Sequence, residues 1–301
     1  MNQLTSVGQL KQDLLDLAQP LAALDLPLLD AHGATLASDL LANEKLLLKS
    51  GDRIGSTQIA LAASLGLDRL PCRPHPRVVI ISAGDDLVEP GSILATAEDE
   101  FESNSWFLTT FMRETGAHTF RVHTIPETQE QLKLIIEDQL VRADLIVISG
   151  ESGDESFDLI TSVLAKLGKI KITTPNLAES GKHNYGLIGP DQTPVVTLPG
   201  DPIGNYLSAE LFIRPMILKM LAKNEINRPS KKAKLSEAVS SPVGKASFLR
   251  ATLNANGTVT PLSDQALLST LSDSNCLIAL SEEEEKLRAG DEVDLIMINE
   301  I

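Results

Sequence analysis

Between Arg77 and Leu221 the chain alternates short strand-like runs with amphipathic helical patterns, and this alternation constrains the fold more than any other feature. "RVVIIS" opens it at Arg77, and "SNSWFLTTFMRETG" follows with Trp106, Phe107, Leu108, Phe111 and Met112 at helical intervals. Then come "RVHTI", the helical "TQEQLKLIIEDQLVRA", the apolar "DLIVISG", the helical "FDLITSVLAKLG", the apolar "PVVTLPG" and the helical "NYLSAELFIRPMILKML". Strands that alternate with helices are joined by right-handed crossovers and bury a mainly parallel sheet between two helical layers. The pattern predicts a three-layer α/β domain over residues 77–222.

The flanks read differently. Leucines and alanines at roughly helical spacing after Thr5-Ser6 and along Leu28–Leu47 predict helices, and "STQIALAASLG" adds one capped by Ser56 and stopped by Gly66. Residues 1–76 are therefore expected to form a small helical N-terminal segment. After Leu221 the polar, Pro/Ser-bearing stretch to Lys245 reads as a linker that becomes an edge strand. "FLRATLNANGTVTPL" alternates apolar and polar residues around Asn256-Gly257, a strong hairpin signal, and "NCLIAL" and "EVDLIMI" supply further strands. Residues 235–301 are expected to form a small β domain, with the Glu282–Glu285 run on a solvated turn.

Charge narrows the partners. A formal net charge of -15 repels polyanions, and no local basic stripe offsets it, so nucleic acid is an unfavoured partner. Cys72 and Cys276 stand far apart in no metal-ligand spacing, which suits two buried small side chains in a reducing compartment. No run of eighteen apolar residues occurs and the N-terminus lacks a signal-peptide pattern. No membrane insertion and a cytoplasmic location are expected.

In an open parallel sheet, ligands bind beyond the carboxyl ends of the strands. Three loops lie there: "SAGDDLVEPG", "SGESGDESFD" and "LPGDPIGN". Asp85 and Asp86 form a carboxylate pair beside a glycine, suited to Mg²⁺ or to backbone hydrogen bonds of the loop itself. In the middle loop a strand, a small-residue turn and a helix start would cradle an anion, because unpaired N–H groups and the helix dipole converge there. That turn nevertheless carries Glu151, Asp154 and Glu155.

The same loops carry a resemblance. The ordered set "ISAGDDLVEPG", "FESNSWFLTTFMRETGA", "DLIVISGESGDESFD", "VVTLPGDPIGN", "FLRATL" and "LRAGDEVDLIMI" resembles the MoeA/gephyrin family of molybdopterin molybdenumtransferases, from about Thr5 to the end. The resemblance implies a central domain with the molybdopterin-binding fold of the MogA and MoaB proteins, followed by a small β domain. It implies a role in molybdenum cofactor biosynthesis: insertion of molybdate into adenylylated molybdopterin with release of AMP, aided by Mg²⁺, in an elongated homodimer. Carried over by position, it assigns Asp85, Asp86 and Asp158 to catalysis, with Asp85 and Asp86 also holding the metal. It assigns Ser149, Gly150, Ser156, Gly181, Lys182, Pro199, Gly200, Asp201 and Pro202 to the molybdopterin or adenylyl-molybdopterin substrate.

Departures from the family pattern are concentrated in the same places. After "LANEKLL" the family has a long β-rich insertion that supplies one wall of its cleft; here the chain passes almost directly to "LKSGDRIGSTQIALAASLG". In the middle loop Glu151 stands for a family glycine and Ser156 for an aspartate. The family element K-P-G-K-P becomes "ESGKH", with Glu179 for the first lysine, Ser180 and His183 for the prolines, and Gly181 and Lys182 kept. Asp201 stands for an asparagine. Two like unit charges about 4 Å apart at an effective dielectric of about 20 repel by roughly 4 kcal/mol, so each added carboxylate opposes an anionic ligand. The middle loop can thus keep phosphate, bridge it through a cation held by Glu151, Asp154 and Asp158, or have lost it. Weakened catalysis is one expectation; the other is a non-catalytic scaffold, comparable to gephyrin, that grips a protein or peptide partner between the α/β and C-terminal β domains. His183 is expected on a surface loop.

Overall fold

A computed structural model describes all residues except 1–2, 85–86, 97–98, 125–127, 151–153, 267 and 299–301. Its centre is a seven-stranded sheet, built from β1 (Gln3–Thr5), β2 (Arg77–Ala83), β3 (His118–Thr124), β4 (Leu145–Gly150), β5 (Gly168–Pro175), β6 (His183–Ile188) and β7 (Thr193–Leu198). The spatial order is β1-β5-β6-β7-β4-β2-β3. β3, β2, β4 and β7 run parallel, whereas β6 is antiparallel to both neighbours.

Alternate residues of each strand feed opposite faces, which is why the central runs are apolar throughout. Val78 and Ile80 join one core with Leu10, Leu14, Leu108, Phe212 and Met216, while Val79 and Ile81 join the other with Leu132, Ile136, Val163 and Leu164. The first core is covered by α1 (Val7–Leu17), α2 (Asn104–Thr115) and α6 (Arg214–Met220), while α5 (Pro202–Ser208) packs in a separate cluster with the C-terminal strands; the second is covered by α3 (Gln129–Leu140) and α4 (Asp154–Leu167). Between α5 and α6 lies a π-helical turn, Ala209–Ile213. Its Glu210 is paired with Arg228 of the following linker through contacts of 2.6 and 3.1 Å.

The N-terminal reading needs correction. Among the described residues only α1 and Ser56–Ser64 are helices there, and Gly55, not Ser56, is the N-cap of the second. Leu28–Leu47 is not helical: Gly33 (φ +86°), Asn43 (φ +50°) and Glu44 (φ +65°) take left-handed conformations that interrupt a helix. Strands Leu24–Pro27 and Thr35–Leu36 instead flank Arg69–Arg73, and Leu40–Ala42 pairs with Lys45–Leu48 in a hairpin. Ala31, Leu36, Ile54, Leu70 and Cys72 give this unit its own small core. β1 and α1, by contrast, belong to the three-layer domain, β1 by pairing with β5.

The C-terminal strands β8 (Ser230–Leu235), β9 (Ser247–Leu253), β10 (Thr258–Pro261), β11 (Cys276–Leu280) and β12 (Glu292–Met297) form a closed barrel. Closure through β8 and β12 corrects the expected edge strand, since both sides of β8 are paired. The β9–β10 hairpin turns at Asn254–Gly257, with Gly257 at φ +84° and the Asn256 side chain accepting from the Thr258 N–H. The barrel is joined to the α/β domain by backbone as well as by apolar packing. Ala246 accepts from the Ala178 N–H at 2.9 Å and donates to the Asn176 carbonyl at 3.1 Å, beside a cluster of Leu177, Ile203, Tyr206, Leu207, Phe248 and Leu277.

Candidate functional site

β2, β4 and β7 end side by side, with Ser149 in register with Ser82 and Leu198. Both serines are buried. Asn205, inside α5, donates its amide to Ser149 Oγ (3.0 Å) and to the Pro199 carbonyl (3.1 Å), fixing the second loop to the third. Asn104, the first residue of α2, donates to the Gly200 carbonyl at 2.6 Å.

Two glycines let backbone approach closely here. A Cβ on Gly150 would lie 3.1 Å from Ile160 Cδ1 and 3.7 Å from Ser156 Oγ, so bare backbone separates the strand end from the start of α4. One on Gly181 would lie 3.3 Å from Pro199 Cβ, which seats the Gly181–Lys182 turn on the third loop. Lys182 extends toward α4, its ammonium 5.5 Å from the Phe157 ring centroid, and Asp158 is exposed on the same turn of α4. Ser149, Gly150, Ser156, Gly181, Lys182, Pro199 and Gly200 are therefore brought together. Asp85, Asp86 and Glu151 lie outside the described residues.

Asp201 and Pro202 play a local part. Asp201 is the N-cap of α5 and accepts the Gly204 N–H at 2.6 Å, while Pro202 occupies the first helical position, where its missing N–H costs nothing. Asp201→Ala is expected to lower stability by about 1 kcal/mol and Asp201→Asn to leave it nearly unchanged, since both Asp and Asn cap well. Urea denaturation of the two variants checks this.

His183 is fully buried at the start of β6, which corrects the surface-loop expectation. Its segment is a sheet strand bracketed by β5 and β7, so a polar-looking stretch lies inside the domain. Desolvation holds its imidazole neutral, with the pKa pulled down to about 4.

Arg250 is a candidate residue that the sequence reading does not single out. It sits in β9 with no exposed surface, and its Nε donates to Thr270 Oγ1 at 2.9 Å. Burial lowers its pKa, opposed by the charges of Glu179 and Tyr206. Glu179 faces it from the α/β domain; burial raises that carboxyl's pKa, Arg250 lowers it, and Asp201 raises it. An arginine within the apolar alternation of "FLRATL" is the signal that could have found it.

Of the eight buried side-chain N and O atoms without a hydrogen-bond partner among the described residues, three belong to Glu179 (Oε2) and Arg250 (both terminal nitrogens), and two, Ser82 Oγ and Asn205 Oδ1, lie beside Ser149 at the strand ends. Such atoms are costly in a protein interior unless a water or a ligand partners them. Among the described residues no three His, Cys, Asp or Glu side chains are grouped to hold a metal ion, and no helix is long and apolar enough to cross a membrane.

These strand-end loops, on a three-layer sheet followed by a β barrel, define a molybdopterin-binding fold with the C-terminal domain of MoeA proteins. Residues 79–219 match the family described as "Probable molybdopterin binding domain", and residues 232–298 match "MoeA C-terminal region (domain IV)". The chain belongs to the MoeA/gephyrin family, and its short length fits a divergent member lacking the insertion domain.

Among its relatives, molybdopterin molybdenumtransferase 1 of Mycobacterium tuberculosis is 28% identical over 262 residues, covering 83% of this chain and 61% of the relative. Molybdopterin molybdenumtransferase 2 of the same organism is 30% identical over 256 residues, covering 83% and 63%. This chain thus spans about three fifths of the length of these relatives. The crystal structure of a MoeA molybdopterin biosynthesis protein from Pyrococcus horikoshii shares the fold, with a TM-score of 0.85 at 19% identity over 99% of this chain and 100% of that one.

Proposed function

We propose that the chain serves molybdenum cofactor biosynthesis by binding a molybdopterin nucleotide at the junction of the α/β domain and the barrel, with catalysis of molybdate insertion weakened. The observation that supports this reading is the meeting of the strand-end loops with buried Arg250, which lies opposite Glu179, each of the two carrying buried polar atoms without a hydrogen-bond partner among the described residues. Gly150, Gly181 and Gly200 give the ligand access to backbone, and Lys182 and Arg250 supply positive charge for phosphate or molybdate oxygens. Ser149 and Ser156 offer hydroxyls to the pterin or its phosphate, Pro199 and Pro202 shape the third loop, and Asp158 orients the substrate. Asp85 and Asp86 follow Gly84 in the sequence after β2 and are proposed as the oxygen donors for Mg²⁺, which prefers carboxylates and substrate phosphate. A homodimer is part of the proposal.

Weakened turnover follows from charge. Glu179 sets a carboxylate beside Arg250 where the relatives' motif has a lysine, so ligand oxygens compete with it for the guanidinium. The same observation favours a second reading, in which the fold is kept as a gephyrin-like scaffold for a protein or peptide partner at this junction. Calorimetric titration with AMP and Mg²⁺ separates them. Micromolar affinity supports the nucleotide site; no heat up to millimolar AMP leaves the scaffold. Sedimentation at micromolar concentration checks the dimer, and a monomer removes that part.

A further inference from the structure

We infer that His183 is a positioning residue that locks the Gly181–Lys182 turn onto the helix carrying the third loop, doing by hydrogen bonds what a proline ring does in the family motif. The inference rests on the proposal that Lys182 meets the ligand.

The bonds themselves are directional. His183 Nδ1 lies 3.0 Å from the Gly181 carbonyl oxygen, which can only accept, so Nδ1 carries the ring proton. Nε2 lies 3.0 Å from Ser208 Oγ, and in a neutral ring protonated at Nδ1 this nitrogen accepts from the hydroxyl. One tautomer satisfies both contacts. Phe212 packs edge-on to the imidazole at 5.9 Å and 89°, closing the remaining side. Ser208 ends α5 and Phe212 lies in the π-helical turn, so the ring is held by the helix whose other end forms the third loop.

Gly181 is then fixed from two directions. Its carbonyl is held by His183, and a Cβ at this position would meet Pro199 at 3.3 Å, so the turn sits close against that ring. Lys182 is the single residue between Gly181 and His183, so its backbone is clamped at both neighbours and its side chain starts from a fixed point toward Phe157. A proline would restrict φ there without any partner. The histidine needs one, and buried Ser208 supplies it.

The first test is imidazole ¹⁵N NMR on the unmodified protein at neutral pH. A protonated Nδ1 with a bare Nε2 is expected; a proton on Nε2 overturns the inference. The second compares His183→Ala, His183→Asn and Ser208→Ala by backbone amide exchange at residues 181–183 and by calorimetric affinity for AMP with Mg²⁺. Asn can place an amide donor near the position of Nδ1. His183→Ala is expected to speed exchange and weaken AMP binding about tenfold each, the size of one lost hydrogen bond, with His183→Asn recovering most of both. Ser208→Ala, which barely changes volume, is expected to speed exchange at Gly181 and Lys182. Unchanged exchange in His183→Ala and Ser208→Ala overturns the inference. Failure of the unmodified protein to bind AMP defeats the proposed function instead, and the tautomer and exchange measurements still decide whether His183 holds the turn.

Discussion

Glu179→Gln is expected to tighten the binding of AMP with Mg²⁺ about thirtyfold. The substitution keeps the shape of the side chain and removes the charge that faces Arg250 across the domain junction. Two unit charges about 7 Å apart at an effective dielectric of about 20 interact by about 2 kcal/mol, and each 1.4 kcal/mol is about tenfold in affinity. Ligand phosphate would no longer be repelled by a carboxylate or share the guanidinium with it. The free variant should melt earlier than its parent, because Arg250 loses its opposing charge while staying buried. Adding ligand should narrow that difference. Calorimetry and thermal unfolding of both proteins measure the two effects. Equal or weaker AMP affinity in the variant refutes the view that Glu179 holds the site in check.

Acidification from about pH 6.5 to pH 4 is expected to remove about 3 kcal/mol of stability through His183 alone. Burial pulls its pKa from the ordinary 6.5 of a free imidazole down to about 4 in the fold, with the Gly181 hydrogen bond opposing. Between those values the unfolded chain binds a proton that the folded chain refuses, so unfolding becomes easier as pH drops and the loss levels off near pH 4. Each pH unit in that window carries about 1.4 kcal/mol. His118, also lowered by burial and by neighbouring His75, adds a slope of the same sign. The difference between the parent and His183→Asn isolates the His183 part. Urea denaturation from pH 4.5 to 7.5 gives both curves, and parallel curves would contradict the assignment.

Strand and helix periods are legible where burial is uniform. Val78–Ile81 and Leu145–Ile148 are buried on both faces, so their apolar runs announce central strands without tertiary knowledge. Leu28–Leu47 misleads because its leucines serve several short strands, and left-handed Asn43 and Glu44 reset the direction of the chain between them. The loops that form the site are visible as strand-end turns, yet the roles within them are not. Asp201 reads as an added charge near a ligand, whereas its carboxylate caps α5. His183 reads as exposed because Gly181, Lys182 and Asn184 surround it with polar residues; pairing with β5 and packing on Ser208 and Phe212 place it inside. Arg250 is distant in sequence from every loop of the α/β domain, and the backbone ladder between Asn176–Ala178 and Ala246 brings it opposite Glu179.

The π-helical turn at Ala209–Ile213 acts as a phase joint. An α-helix advances about 100° per residue, so the wider turn lets one continuous rod serve two directions that an unbroken helix would not align. Upstream, Asn205 and Ser208 are aimed at the loops; downstream, Met216, Ile217 and Met220 are aimed at the sheet. Deleting one residue from this stretch would let the rod regularise, and either the loop-facing set or the sheet-facing set would swing out of line. Backbone geometry in the middle of a helix thereby ties the aim of the strand-end loops to the packing of the domain beneath them.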